Sequence, residues 1–132
     1  MAALDRPVAK PRPVYLDLLS IRQPLPAIVS ILHRISGAVL FLVGIPFVLW
    51  MTQRALASPQ GWEAMRAALG HPLAKLVLLV LAWAYLHHFI AGLRHLVMDL
   101  HIGMTLKSAR TSAAVTMVIA LLLTLAVAIR LW

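Results

Sequence analysis

The sequence predicts an all-α integral membrane protein with three transmembrane helices, and three observations carry that prediction. Hydrophobic residues make up 62% of the 132 residues and charged residues only 12%, with a mean hydropathy of +0.91. A soluble domain carries about 25% charge, so this chain lacks the polar surface to cover a globule in water. No Asp, Glu, Lys or Arg occurs in the 19 residues Ile35–Gln53, the 18 residues Leu76–Leu93 or the 19 residues Thr111–Ile129. Each run matches the roughly 20 apolar residues a helix needs to cross a ~30 Å hydrocarbon core. Finally, the basic residues behind the +8 net charge lie before, between and after those runs and form no cluster. They read as membrane flanks and give no sign of a nucleic-acid partner. The absence of cysteine excludes disulfide scaffolds, iron–sulfur ligation and thiol catalysis by this chain, and four acidic residues are too few for most hydrolytic or metal-dependent chemistry.

In chain order, residues 1–26 form a proline-rich N-terminal segment with no apolar stretch of signal-peptide length. Residues 27–132 form a single membrane domain. The first span is expected over about 27–52, where Pro24 and Pro26 suit a helix start. In Ser58–Pro72, Ser58 reads as an N-cap, Pro59 as the first helical residue and Gly70 as a stop, giving a short helix with Trp62, Met65 and Leu69 on one face for the membrane surface. The second span is expected over about 73–100, a polar loop around Gly103 follows, and the third span covers about 110–131. Trp50 and Trp132 fall where interfacial aromatic belts are expected. Lys and Arg number six on the side of the N-terminal tail and the second connection against four on the other, rising to eight if Arg34 and Arg94 join the first side. That bias places the N-terminus inside and the C-terminus outside.

Two spans contain residues that a plain anchor does not need. Ionisable groups inside a membrane are costly and usually face a bundle interior or cavity. On the second span His88, Gly92, His95 and Asp99 follow one helical stripe; on the first, Ser30, Arg34 and Gly37 share a face with His33 beside them, and Gly44 continues it. In an antiparallel pair Arg34 and Asp99 both fall near the inner boundary, where they either pair or flank one pocket. His88 lies 11 residues before Asp99, roughly 16 Å deeper at 1.5 Å per residue. A neutral imidazole at mid-membrane beside a glycine suits an axial ligand to haem iron, although membrane histidines also serve proton relays. His87 faces about 100° away and competes for the role. His95 cannot join His88 on one iron because both lie on one face about 10 Å apart, and His33 lies several ångströms too shallow. A six-coordinate haem therefore needs a histidine from another subunit. The plainer alternatives are back-bonding to a carbonyl for Ser30, snorkelling for Arg34, boundary positions for Arg94 and Asp99, and helix packing for Gly37 and Gly44.

These residues resemble a known family. Arg12-Pro13-Val14-Tyr15-Leu16-Asp17-Leu18, then Ser30-Ile31-Leu32-His33-Arg34-Ile35-Ser36-Gly37, then His88-Phe89-Ile90-Ala91-Gly92-Leu93-Arg94-His95-Leu96-Val97-Met98-Asp99 resemble, in order and spacing, the signature of the cytochrome b anchor subunit of succinate dehydrogenase (complex II), in its bacterial two-anchor, single-haem form. The resemblance implies that three helices form half of a bundle completed by a second hydrophobic anchor subunit, with iron–sulfur and flavoprotein subunits on the inner side. It implies haem b shared with that second anchor, with His88 as one axial ligand and His33, Arg34 and His95 around the propionates. It further implies a ubiquinone-reduction site that includes Ser30 and Arg34, with Asp99 in the pocket's polar network. The chain would then be a subunit of succinate:quinone oxidoreductase without activity toward succinate by itself, in a bacterial inner (cytoplasmic) membrane with its C-terminus periplasmic. Two other classes remain: a non-catalytic anchor, and a transporter or proton-relay component. Three continuous, dissimilar spans lack the repeats and broken helices common in transporters.

Overall fold

The computed structural model describes residues 20–132, so most of the N-terminal segment, including Arg12–Leu18, lies outside the described residues. Three helices are long and apolar enough to cross a membrane: Leu25–Ala57, Pro72–Asp99 and Leu106–Leu131. They are called here the first, second and third span, and a connecting helix, Pro59–Leu69, joins the first two. The fold is the expected all-helical membrane architecture. Two helices extend beyond the expected spans of about 27–52 and 110–131, to Ala57 at the end of the first and back to Leu106 at the start of the third.

Each start is set by local chemistry. Pro24 has an extended backbone and leads into the first span, with Pro26 in its opening turn, where a missing N–H costs nothing. The Ser58 hydroxyl accepts from the Gly61 N–H at 3.0 Å and begins the connecting helix. The His71 Nδ1 accepts from the Leu73 N–H at 3.2 Å ahead of the second span, and the Thr105 hydroxyl accepts from the Ser108 N–H at 3.3 Å ahead of the third. Between the last two spans the chain reverses through His101 (φ 60°) and Gly103 (φ 75°). Gly103 supplies a left-handed turn that a side chain would strain.

The first span carries one irregularity, a π-helical turn over Leu40–Gly44 in which the Ile45 N–H bonds back to the Leu40 carbonyl. Pro46 follows immediately. Its ring crowds the carbonyl four residues earlier and it has no N–H to offer there, and the widened turn accommodates both defects.

The three spans pack on one another through small residues: Ala84 and Ala91 on the second, Ala113 and Ala120 on the third, and Val29 and Ser36 on the first, all buried. Val29, Ala91 and Ala113 form the core cluster, flanked by Leu25 and Met117. Large apolar side chains point outward instead, as with Phe41 and Leu42, both 69% exposed. Small inside and large outside is the arrangement for lipid, where close backbone approach drives helix association in place of the hydrophobic effect. The connecting helix turns Trp62, Met65 and Leu69 toward the end of the first span, around a hollow of ≈370 Å³ shared with Met51, Thr52 and Ala55. That face meets protein as well as any membrane surface.

Candidate functional site

The first and second spans run antiparallel in a register fixed by two glycines. A Cβ on Gly37 would lie 2.7 Å from Cε1 of His88, and one on Gly44 would lie 3.9 Å from Leu81. The Gly37/Gly44 strip is therefore the packing face toward the second span, and at Gly37 it meets the His88 ring directly. One turn from His88, a Cβ on Gly92 would meet only Nε2 of His33, at 3.6 Å. Gly37, on the opposite helix, makes room for the imidazole; Gly92 borders open space beside it.

Three imidazoles gather in this groove. The His33 ring stacks on His88 with centroids 4.2 Å apart and planes 11° from parallel, and His95 lies 5.0 Å from His33, tilted by 46°. Nδ1 of His88 lies 3.0 Å from the His33 carbonyl oxygen. A carbonyl only accepts, so the proton sits on Nδ1, which leaves the lone pair on Nε2. The Ser36 hydroxyl donates to the same carbonyl at 2.9 Å and lies 3.3 Å from Nδ1, holding the ring from a second side. Sequence reading passed over Ser36; its position one turn after His33 in the motif was the available signal. Nearly parallel stacking sets the His33 and His88 nitrogens side by side, so the two rings do not oppose one another across a metal. Among the described residues no group of three or more His, Cys, Asp or Glu forms a metal site.

His87 has a different environment. It is fully buried, stacked on Trp83 at 5.5 Å, and neither ring nitrogen has a hydrogen-bond partner. It shares its helix face with Ala84, Ala91 and Arg94, all buried in the bundle. His88 is half-buried on the neighbouring face.

Ser30 is half-buried and Arg34 exposed, one turn apart on the first span. Ser36, Ser112, Thr52 and Thr124 all bond back to a carbonyl of the preceding turn. No such bond forms at Ser30, whose hydroxyl makes no hydrogen bond among the described residues. The glycine register sets Arg34 level with Ala91, eight residues from Asp99, about 12 Å along the axis. Asp99 is exposed at the end of the second span, and among the described residues no ion pair joins it to Arg34. The pairing considered from sequence does not form because the two residues lie more than two turns apart. Arg94 is 9% exposed, and its Nε donates to the Ser112 hydroxyl at 2.9 Å and its Nη2 to the Ala109 carbonyl at 3.4 Å. It tethers the third span, a role that its boundary position in the sequence did not disclose.

Residues 8–127 match the family model described as succinate dehydrogenase/fumarate reductase transmembrane subunit. The chain belongs to that family. It is 37% identical over 122 residues to a succinate dehydrogenase cytochrome b556 subunit of Coxiella burnetii, covering 92% of this chain and 97% of that one. A subunit of the same name from Paracoccus denitrificans is 34% identical over 102 residues, 77% of this chain and 78% of the other. The Rickettsia prowazekii subunit of that name is 25% identical over 125 residues, 95% of this chain and 97% of the other. Together with the three apolar helices, membership of the family makes this a multi-pass membrane subunit of an enzyme complex of the succinate dehydrogenase type.

Proposed function

We propose that this chain is the anchor subunit that binds haem b and helps form the ubiquinone-reduction site, receiving electrons from an iron–sulfur subunit. The observation that carries the proposal is the state of His88, whose Nδ1 is engaged by the His33 carbonyl at 3.0 Å. A histidine ligand usually donates its second N–H in this way, which fixes the tautomer and the ring orientation. The residues present fit a haem: Nε2 of His88 carries the lone pair for the iron, and His33, His95 and Arg34 supply polar or cationic groups suited to propionates. When bound, the haem supplies a reversible one-electron centre. Since His33 stacks on His88 and does not face it, a second histidine for the haem would come from a second hydrophobic anchor subunit, which would also complete the helical bundle.

Ubiquinone would lie nearer the helix ends, against Ser30 and Arg34. Its reduction takes up two electrons and two protons, and a site close to the aqueous boundary gives those protons a short path. The Ser30 hydroxyl donates a hydrogen bond to one quinone carbonyl. The Arg34 guanidinium, exposed and without an acidic partner among the described residues, favours the negative charge that builds on that oxygen as electrons arrive. Asp99 belongs to the polar rim at the end of the second span, in reach of water.

Succinate oxidation then belongs to the flavoprotein subunit, and this chain has no activity toward succinate alone. Residues 1–26 form an inner-side segment and 27–132 the membrane domain, in a bacterial inner membrane with the N-terminus cytoplasmic and the C-terminus periplasmic. A visible spectrum of the purified complex, recorded after succinate and then after dithionite, tests the proposal. A b-type band that succinate reduces supports it. A colourless complex that still reduces quinone normally would end it.

A further inference from the structure

At the end where the second and third spans are joined, a cavity of ≈440 Å³ lies between them. Its upper wall is polar, with Arg94, Ser108 and Thr111 beneath the turn at Gly103, and its lower wall is apolar, with Ile90, Leu93 and Val115. The apolar wall opens outward, since Leu93 and Val115 are 47% and 49% exposed. Arg94 is only 9% exposed, yet both of its hydrogen-bond acceptors, the Ser112 hydroxyl and the Ala109 carbonyl, are neutral.

A guanidinium keeps its proton at any ordinary pH, and a buried charge without a counter-ion is strongly disfavoured. Among the described residues the acidic side chains are Glu63, on the connecting helix at the other end of the bundle, and Asp99. Asp99 lies five residues beyond Arg94 and is exposed, about 140° around the helix, and no ion pair links them. Among the described residues, then, none supplies this cavity with an anion. It also holds unused donors: among the described residues neither the Ser108 nor the Thr111 hydroxyl makes a hydrogen bond. Lys107, exposed one turn before Thr111, adds a second cation at the rim.

We infer that this cavity binds an anionic glycerophospholipid, its phosphate held by Arg94, Ser108 and Thr111 and one acyl chain lying along Ile90, Leu93 and Val115. A carboxylate from a partner would match the charge but leave the apolar channel empty, whereas a lipid occupies both parts and enters from the bilayer. The site is separate from haem binding, since Arg94 and His88 lie on different faces of the second span.

The intact complex, purified in detergent and washed until bulk lipid is gone, should retain one more phospholipid per copy of this chain than the Arg94→Gln complex, by native mass spectrometry and by phosphorus analysis. Val115→Trp fills the channel while leaving the guanidinium and its bonds intact, and should lose the same lipid. If Arg94→Gln fails to assemble, Val115→Trp decides the matter alone. Delipidated wild-type complex should regain thermal stability with micelles containing phosphatidylglycerol but not with inorganic phosphate. Equal lipid retention in wild type and Val115→Trp overturns the inference. So does loss in Arg94→Gln alone, which points to a partner carboxylate, or an equal response to inorganic phosphate, which points to a free-anion site. The His88→Ala complex should keep this lipid whatever becomes of its haem.

Discussion

Gly37→Ala tests the His88 arrangement with a single methyl group. The new Cβ would lie 2.7 Å from Cε1 and 3.2 Å from Nδ1 of His88, while ordinary contact begins at 3.4 Å. The ring must retreat by about 0.7 Å, the difference between those contact distances. It is not free to do so cheaply, because the His33 carbonyl holds Nδ1 at 3.0 Å and the His33 ring lies 4.2 Å away across its face. Overpacking of this kind costs about 1–3 kcal/mol, and a weakened hydrogen bond about 1 kcal/mol more. Replacing a helical glycine by alanine returns about 1 kcal/mol, so the fold survives. Ligand geometry is less forgiving, because metal–ligand distances hold to about 0.2 Å. Haem content by pyridine haemochrome assay should fall several-fold in the Gly37→Ala complex, or the low-spin absorbance bands should shift. Gly44→Ala, whose nearest contact is an ordinary 3.4 Å to Leu40, should leave both unchanged. A Gly37→Ala complex with wild-type haem content, band positions and midpoint potential would refute the account of how His88 is held.

Other variants separate the remaining roles. His88→Ala should abolish the low-spin haem spectrum, whereas His87→Leu should keep it without loss of thermal stability, because neither buried ring nitrogen of His87 makes a well-aligned hydrogen bond; the opposite pattern would move the ligand role to His87. Arg34→Ala should lower quinone reductase activity about tenfold or more, and Ser30→Ala about 2- to 10-fold, the equivalent of losing one neutral hydrogen bond worth about 0.5–1.5 kcal/mol. Succinate oxidation with an artificial acceptor should persist in both variants, and parallel loss of both activities would count against the quinone site. Trp132→Ala removes the contact in which Lys75 Nζ lies 5.5 Å from the indole. It should cost about 0.5–1 kcal/mol in a melting assay with haem content intact, and a drop in haem would show that this end of the bundle matters more than its geometry suggests.

The sequence by itself determined the membrane character, the three spans and the family, because these follow from the spacing of charges and from motifs contiguous along one helix at a time. It also brought His33, Arg34, His88 and His95 forward as costly residues inside a membrane. Their partners were beyond its reach, because inter-helix register depends on how two surfaces meet. Only the tertiary structure set Gly37 against His88, tied Nδ1 of His88 to the His33 carbonyl and separated Arg34 from Asp99. The same packing turned His87 and Arg94 inward on the face that Ala84 and Ala91 bury. A rotation of about 100° separates His87 from His88, and nothing local to two adjacent imidazoles says which of them the neighbouring helices will enclose. That choice comes from close packing through small residues, which is the main force available to hold helices together where lipid is the solvent.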